Sequence, residues 1–279
     1  MKARTALICS GVAAIGWATL SAASLHRRRQ GVRNVTRRIG SERRRSDQLA
    51  AVAHELRTPL NSIVNWVSVL QSGEADAAQS AIALRSIAAS ARAQGRLIED
   101  LLDAARSERD QMPLRRAAID VRAPIESAVD VIRPSADAAH LYLSITLPGT
   151  ACTICGDVDR LQQAFGNVLS NALKFTDRGG IRVDAVKCDS YVEVRIVDSG
   201  KGIERDFLPH VFEQFEQADR STRRQAGLGL GLAICRDLIM RHDGTIDVTS
   251  EGAGKGTTVT IRLPLLRETT GASAAVSKP

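Results

Sequence analysis

The sequence predicts a multi-domain chain in which an all-α helical hairpin is followed by an α/β two-layer sandwich. Two observations carry this prediction. Apolar residues recur with a seven-residue period through residues 47–110, which is typical of helices that pack along a seam. Beyond residue 115, short alternating strands are separated by helical segments and end in a hairpin, which favours helices on one face of a mixed sheet.

The chain has 279 residues and a formal net charge of +7, and the positive charge is concentrated at its N-terminus. Residues 1–46 contain 11 Lys and Arg and one acidic residue, a local charge of +10, whereas residues 47–279 carry −3. Aromatic residues make up only 3% of the chain, so stacking surfaces for single-stranded nucleic acid are few. A slightly acidic body of this kind argues against direct nucleic-acid binding.

Residues 1–25 contain an uncharged stretch, at about 5–25, that predicts one transmembrane helix. A helix of about 20 residues spans the hydrocarbon core. Residues 26–46 form a basic juxtamembrane linker, and because positive charge stays on the cytoplasmic side, we expect a single-pass anchor with the rest of the chain in the cytoplasm. A cleaved signal peptide is the alternative, although the arginines oppose export of the chain downstream of them.

Two helices are predicted within residues 47–110, separated by a break at Gly73. The apolar seam of the first helix consists of Leu49, Val52, Leu56, Pro59, Ile63, Trp66 and Leu70. The seam of the second helix consists of Leu84, Ile87, Ala91, Gln94, Ile98, Leu101 and Ala105. Since one hairpin cannot bury both seams, we expect a homodimer in which two hairpins form a four-helix bundle.

His54 is the most informative residue of the first helix. With Leu49 at heptad position a, His54 falls at position f on the solvent face, where a packing role is not expected. A neutral imidazole is a nucleophile, and the adjacent carboxylate of Glu55 is able to orient it and accept its proton. Pro59 predicts a kink one turn later. The spacing indicates a candidate catalytic site on an exposed helix.

Residues 115–266 are predicted as the two-layer sandwich, and residues 267–279 as a disordered tail of small residues. A helix begins near Pro124, and two more cover 157–175 and 228–242. Apolar and polar residues alternate in five predicted strands, over 141–147, 180–187, 191–198, 244–250 and 256–264.

Two polar clusters lie on these elements. Asn167, Asn171 and Lys174 share one helix face, which suits hydrated magnesium and phosphate oxygens, although a plain polar helix face fits the same spacing. Asp198 ends a strand beside two glycines, where a carboxylate can accept a hydrogen bond from an exocyclic amine. Ordinary turns use the same residue types.

Two glycine clusters come later in the chain. Gly227, Gly229 and Gly231 lead into a helix whose N-terminal amides can bind an anion, with close helix packing as the alternative. They do not follow a strand within a βαβ unit, which argues against a dinucleotide fingerprint. Residues 252–257 predict only a hairpin turn.

The order of these motifs resembles that of one protein family. Residues 51–63, with seven consecutive matching positions from His54 to Leu60, resemble the phospho-acceptor box of bacterial sensor histidine kinases. Residues 96–108 resemble the second bundle helix of that family. Four later segments resemble the N, G1, F and G2 boxes of its GHKL (Bergerat) ATP-binding domain, also found in Hsp90, DNA gyrase and MutL: 167–175, 198–202, 211–219 and 227–232.

The resemblance implies a membrane-anchored kinase of the bacterial inner membrane whose catalytic part is cytoplasmic. His54 would be autophosphorylated from ATP, with Glu55 as general base, and the phosphoryl group would pass to an aspartate in the receiver domain of a separate response regulator. Thr58 would help to position water when the same domain dephosphorylates that partner.

For the ATP-binding domain, the resemblance implies that Asn171 ligates Mg²⁺ and that Asn167 and Lys174 lie near the phosphates. Phe175 would pack on the adenine, and Asp198 would accept a hydrogen bond from its amine. The base pocket would be shaped by Gly200 and Gly202. The lid would be anchored by Phe212 and Phe215. The lid hinges and phosphate caps would be Gly227, Gly229 and Gly231.

Three positions depart from the family pattern. Lys201 stands where an apolar residue is more frequent, and Ala226 and Asp243 stand where glycine is common. None of these changes removes a residue with an implied chemical role, so we expect activity.

The Cys152-x-x-Cys155 spacing has no second ligand pair nearby, which argues against structural zinc, and a redox switch is the alternative.

Two other functions are weighed against phosphotransfer. A kinase-like dimeric scaffold would bind nucleotide without phosphorylating, and the presence of His54, Glu55 and Asn171 argues against it. A GHKL ATPase that works by conformational change would not need a bundle with an exposed histidine. Only four residues precede the predicted span and 21 separate it from the hairpin, so no folded sensor domain is expected.

Overall fold

The computed structural model describes residues 48–108, 113–217 and 228–266, so the predicted membrane span, the basic linker and the C-terminal tail lie outside the described residues. Within these three ranges, no helix combines the length and the apolar character needed to cross a membrane. The chain divides into two compact units, residues 1–54 and residues 55–279. The described residues of the first unit, 48–54, are helical.

A helical hairpin precedes the sandwich, as the heptad pattern predicts. Helix α1 covers residues 48–71, and helix α2 covers Ala77–Glu108. The chain reverses at Gly73, whose φ of 71° lies in the left-handed region that glycine adopts without strain. The hydroxyl of Ser90 on α2 donates a hydrogen bond to the hydroxyl of Ser62 on α1 over 3.1 Å, which joins the two helices across the hairpin.

The predicted seam of α2 is only partly correct. Ile87, Gln94 and Leu101 are half-buried in the hairpin, but Leu84 and Ile98 are 60% and 45% exposed. Two small residues beside the predicted seam, Ala83 and Ala104, are buried instead. In a four-helix seam, one flank of each helix packs within its own hairpin and the other packs against a second hairpin, so we expect the exposed apolar flank of α2 to face a second copy.

The sandwich combines a five-stranded sheet, a two-stranded sheet and three helices. In chain order its elements are β1 (Ala117–Asp120), α3 (Arg122–Ala138), β2 (Tyr142–Thr146), β3 (Thr153–Gly156), α4 (Val158–Phe175), β4 (Gly180–Lys187), β5 (Tyr191–Asp198), a 3₁₀ turn (Leu208–His210), α5 (Gly231–Arg241), β6 (Thr245–Thr249) and β7 (Thr257–Pro264). The large sheet has the order β2-β4-β5-β7-β6, with only the β2–β4 pair parallel.

The core lies between this sheet and the helices. Along β5, Val192, Val194 and Ile196 are buried and alternate with more exposed residues, so the strand turns one apolar face to the core. Helix α4 buries a stripe that includes Leu161 and Phe165, with the spacing of one helix face. The N-terminus of α4 is capped by Asp157, whose carboxylate accepts hydrogen bonds from the amides of two first-turn residues.

The structure differs from the predicted elements at three places. Strands β1 and β3 pair antiparallel in a small sheet that was not predicted, because four residues are too few for a recognisable alternation. Helix α5 begins at Gly231 rather than at residue 228, since Gly229 has a φ of 69° and cannot be helical. Helix α3 begins at Arg122, which leaves Pro124 in the first turn, where its missing amide is not needed.

Candidate functional site

The C-terminal half of α4 faces the N-terminus of α5. The side-chain amide of Asn167 donates to the carbonyl oxygen of Gly231 over 3.2 Å. A Cβ at Gly231 would lie 3.9 Å from Nδ2 of Asn171, so this amide is near the same helix end. The structure therefore brings two predicted asparagines to the point where unpaired helix amides favour an anion.

Lys174 and Phe175 close α4 at the edge of this region. Nζ of Lys174 lies 4.8 Å from the ring centroid of Phe175, and Phe175 is 42% exposed. Burial lowers the pKa of Lys174, and the nearby carboxylate of Glu55 on α1 acts in the opposite direction. A desolvated ammonium group interacts strongly with an anionic ligand, which fits a place beside phosphate.

Asp198 lies at the end of β5, where the loop after β5 and the first residue of β7 donate to it. Its Oδ1 accepts hydrogen bonds from the backbone amides of Gly200, over 2.8 Å, and Thr257, over 3.2 Å. Burial raises the pKa of this carboxyl, and these hydrogen bonds partly oppose the shift. A Cβ at Gly200 would overlap the carbonyl oxygen of Phe175, so only glycine allows this approach.

The turn at 252–257, which the sequence predicted only as a hairpin turn, belongs to the site. The amide of Gly256 donates to the carbonyl of Gly200 over 3.1 Å, and a Cβ at Gly256 would overlap the carbonyl oxygen of Asp198. A Cβ at Gly202, whose φ is 68°, would overlap the carbonyl oxygen of Gly252. Three glycines within five residues before a strand were the available signal, and Thr257 was missed with them.

Two contacts, one between backbone groups and one between side chains, join the F-box residues to α5 and to the residues that lead into it. The amide of Phe215, whose φ is 65°, donates to the carbonyl of Gly229 over 3.1 Å. The guanidinium group of Arg236 on α5 lies 5.4 Å from the ring centroid of Phe212. Gly227 and the middle of the predicted lid lie outside the described residues, so the implied roles of that segment stay predictions.

His54 is exposed on α1, as its predicted heptad position requires. Thr58 is also exposed, whereas Glu55 is half-buried. Thr58 lines an open groove of about 510 Å³ along α1, together with Asn61, Ser62, Asn65, Trp66 and Val69. Thr58 is therefore accessible from an open groove on the surface of α1.

The cysteine pair does not form a chelating site. Cys152 is fully buried just before β3 and Cys155 is exposed on it, because residues three apart on a strand face opposite sides. Among residues 48–108, 113–217 and 228–266, no group of three or more His, Cys, Asp or Glu side chains could hold a metal ion.

Two of the three departures from the family pattern lie in described residues. Asp243 has a φ of 58°, which explains why glycine is common there, and its carboxylate accepts a hydrogen bond from Arg116 over 2.7 Å. Lys201 is exposed, with Nζ 3.8 Å from the carboxylate of Asp177 at the edge of the site. Ala226 lies outside the described residues.

Two family models match the chain in the order that the fold suggests. The His Kinase A (phospho-acceptor) domain matches residues 44–110. The histidine kinase-, DNA gyrase B- and HSP90-like ATPase domain matches residues 156–267.

Curated relatives match most of the chain. The signal transduction histidine-protein kinase BaeS of Escherichia coli K12 is 33% identical over 230 residues, which cover 82% of this chain and 48% of the relative. The histidine protein kinase DivJ of Caulobacter vibrioides is 34% identical over 221 residues, which cover 78% of this chain and 37% of the relative. The chain thus spans half or less of the length of these relatives.

Solved structures agree with the fold. ShkA, solved at full length in complex with AMPPNP, superposes with a TM-score of 0.59 and 29% identity over 78% of this chain and 46% of ShkA. Acinetobacter baumannii AdeS gives a TM-score of 0.56 at 22% identity over 76% of this chain and 98% of AdeS, a likeness in fold alone. With a phospho-acceptor hairpin followed by a GHKL ATP-binding domain, the chain belongs to the sensor histidine kinases.

Proposed function

We propose that this protein phosphorylates itself on His54 with ATP and passes the phosphoryl group to an aspartate in the receiver domain of a separate response regulator. The observation that carries the proposal is the arrangement around α4. Its asparagines lie beside the N-terminus of α5, Lys174 lies over the Phe175 ring at the end of α4, and the half-buried Asp198 carboxylate lies beyond Phe175. This arrangement offers an acceptor for a base and donors for phosphates within one site.

Base recognition rests on Asp198 and its glycines. The carboxylate oxygens accept hydrogen bonds, and the exocyclic amine of adenine is a donor that fits this acceptor. Gly200 and Gly202 let the loop after β5 pack against the carbonyls of Phe175 and Gly252, which shapes the site beside Asp198, and Phe175 contributes an aromatic face at its edge. Lys174 and Asn167 would then contact the phosphates, with the first amides of α5 opposite them.

The residues present fit a magnesium ion that arrives with the nucleotide. The amide oxygen of Asn171 is a hard ligand near the anion-binding helix end, and Mg²⁺ is commonly held by few protein groups together with phosphate oxygens and waters. The bound ion would neutralise part of the phosphate charge. We therefore propose Asn171 as its protein ligand.

The transfer requires an exposed imidazole. A ring nitrogen of His54 would form a bond to the γ-phosphorus while the bond to the β,γ-bridging oxygen breaks and ADP leaves. Glu55 would accept the imidazole proton. In the second step the phosphorus–nitrogen bond breaks as a bond to the receiver carboxylate forms. Thr58 would position water for hydrolysis of that acyl phosphate.

Labelling of the full-length protein with γ-labelled ATP and Mg²⁺ tests the proposal. We expect acid-labile, base-stable label on the wild-type protein, and none on His54→Gln, which should still bind nucleotide. Asn171→Ala and Asp198→Asn should lose both label and binding. His140→Asn, a second exposed histidine whose φ of 54° asparagine tolerates, is the matched control. Label retained on His54→Gln would exclude His54 as the acceptor.

The two other functions predict different results in the same assay. A conformational ATPase would release phosphate without label on the protein, and His54→Gln would leave its turnover unchanged. A kinase-like scaffold would bind nucleotide and show neither reaction.

We also propose that residues 5–25 anchor the protein in the bacterial inner membrane, with the catalytic part in the cytoplasm. The uncharged stretch followed by a local charge of +10 supports this topology. Deletion of residues 1–25 should move the protein from the membrane fraction to the soluble fraction. Recovery of the deleted protein in the membrane fraction would contradict it.

A further inference from the structure

We propose that Ser250 is a positioning residue for nucleotide binding, because its hydroxyl ties the loop after β5 to the turn before β7 and so holds Asp198 in place. The proposal rests on the proposed role of Asp198 in base recognition. Ser250 follows β6 directly and belongs to none of the predicted motifs.

The hydroxyl of Ser250 uses its full hydrogen-bonding capacity on backbone groups of both segments. It donates to the carbonyl of Gly256 over 2.7 Å. It accepts from the amide of Ile203 over 3.0 Å and from the amide of Gly252 over 3.3 Å. A hydroxyl has one donor and two acceptor sites, so a single side chain joins three backbone positions.

Two hydrogen bonds between backbone groups also hold the loop after β5 and the turn before β7 close together. Gly254 donates to the carbonyl of Lys201 over 2.6 Å, and Gly256 donates to the carbonyl of Gly200 over 3.1 Å. Both segments approach each other too closely for a Cβ at Gly202 or Gly256. The hydroxyl lies among these contacts, where an alanine would leave its three backbone partners without the hydrogen bonds that Ser250 provides.

The connection to Asp198 depends on the two amides that hold its carboxylate. One belongs to Gly200 in the loop after β5, and the other belongs to Thr257, the residue after Gly256. Because each segment supplies one donor to the same oxygen, a change in their separation changes the direction of the carboxylate. The acceptor for the base amine depends in this way on Ser250, which itself need not touch the nucleotide.

Base discrimination is the property that separates a positioning role from general stabilisation. Adenine carries the exocyclic amine, whereas the hypoxanthine of inosine triphosphate (ITP) carries a carbonyl at the same place. A carboxylate aimed at the amine favours ATP over ITP, and a misdirected carboxylate loses this preference. A variant that only weakens the fold would lower binding of both nucleotides by the same factor.

The test measures the dissociation constants of ATP and ITP, with Mg²⁺, for the full-length protein. We expect Ser250→Ala to reduce the preference for ATP over ITP by about tenfold. A misdirected Asp198 carboxylate would lose about the free energy of its one hydrogen bond with the base amine. Ser250→Thr keeps the hydroxyl and should restore the wild-type ratio. Thr249→Ala removes a hydroxyl from the exposed neighbouring residue and should leave both constants unchanged.

An unchanged ATP-to-ITP ratio in Ser250→Ala, with folding verified by circular dichroism, would overturn the proposal. Should Ser250→Ala not fold, Ser250→Cys provides the same measurement with a weaker hydrogen-bonding group, and an unchanged ratio has the same meaning. Asp198→Asn separates the two proposals. If the wild-type protein prefers ATP and Asp198→Asn keeps that preference, the proposed role of Asp198 in base recognition is wrong, whatever the result for Ser250→Ala.

Discussion

His242 shows how one buried side chain can connect two elements. It is 1% exposed at the end of α5, and its Nε2 lies 2.9 Å from the amide of Asp157, the N-cap of α4. That amide can only donate, so Nε2 accepts and the proton is on Nδ1, which donates to the carbonyl of Leu238 over 2.8 Å. Both ring nitrogens are therefore satisfied only while the imidazole is neutral.

This geometry makes the stability of the domain dependent on pH. Burial lowers the pKa of His242 in the folded protein, against about 6.5 in the unfolded chain. The unfolded chain then binds more protons between these two values, so the free energy of unfolding falls as pH decreases below about 6.5. Denaturant unfolding from pH 7.5 to 5.5 should show this loss, and His242→Gln should reduce it. An equal reduction in the exposed control His140→Asn would contradict the assignment.

Gly256 and Gly254 separate the effect of backbone conformation from that of close approach. Their φ values are 71° and 74°, but a Cβ at Gly256 would overlap the carbonyl oxygen of Asp198, whereas a Cβ at Gly254 has nothing within 4 Å. We expect Gly254→Ala to cost about 1 kcal/mol of unfolding free energy, and Gly256→Ala about 3 kcal/mol or more. Gly256→Ala should also weaken ATP binding. Similar losses of unfolding free energy in the two variants would mean that the positive φ alone causes the loss and that the close approach to Asp198 adds nothing.

At the residue scale, sequence motifs predicted the side chains that the structure brings together in the site. They did not predict the residues that hold those side chains in position. Asn167, Asn171 and Asp198 lie in patterned segments next to helix or strand ends. Ser250 is 47 residues from its partner Ile203 in the chain, and nothing in either segment indicates that they meet. Such a contact depends on the order of strands β5, β7 and β6 in the sheet, which local patterns do not define.

At the element scale, the patterned strands were predicted well and the short ones were not. Strands β4 and β5 have the predicted bounds, since eight residues of alternation with turns on either side leave little ambiguity. The four-residue strands β1 and β3 were missed. The division of the α2 seam was also missed, because a heptad pattern shows which residues are apolar and not which neighbour covers them.

The exposed flank of α2 predicts the effect of a charge on assembly. Ile98 is 45% exposed in the hairpin, and we expect a second copy to cover it. Ile98→Asp should weaken the dimer by about tenfold or more in sedimentation equilibrium, since a carboxylate would be desolvated there. Ala89→Asp adds the same charge at exposed heptad position f of the same helix. Equal weakening by both variants would show that Ile98 lies outside the interface.

At the scale of the whole molecule, a small polar cluster joins the hairpin to the ATP-binding domain. Asp103 on α2, with a side chain only 5% exposed, accepts from Arg160 over 2.9 Å and from Gln163 over 2.7 Å, both on α4. Arg160 also donates to the side-chain oxygen of Gln163 over 2.9 Å, which closes the cluster. Burial and the charge of Asp103 raise the pKa of the neighbouring Asp100 to about 6.

Coupling between Asp103 and Arg160 is therefore expected to exceed that of a surface pair. Removing one partner of a buried pair leaves the other charge poorly solvated, so a double-mutant cycle of Asp103→Ala and Arg160→Ala should give about 1–3 kcal/mol. Arg160 is partly exposed to solvent, so this coupling should be smaller than that of a fully buried pair.

The exposed pair Asp130 and Arg133, 3.7 Å apart on α3, is the control and should give about 0.5 kcal/mol or less. A coupling of that size for Asp103 and Arg160 would mean that the cluster does not hold the hairpin to the ATP-binding domain. With the larger value, the two domains should unfold together in the wild-type protein and in separate transitions in Asp103→Ala.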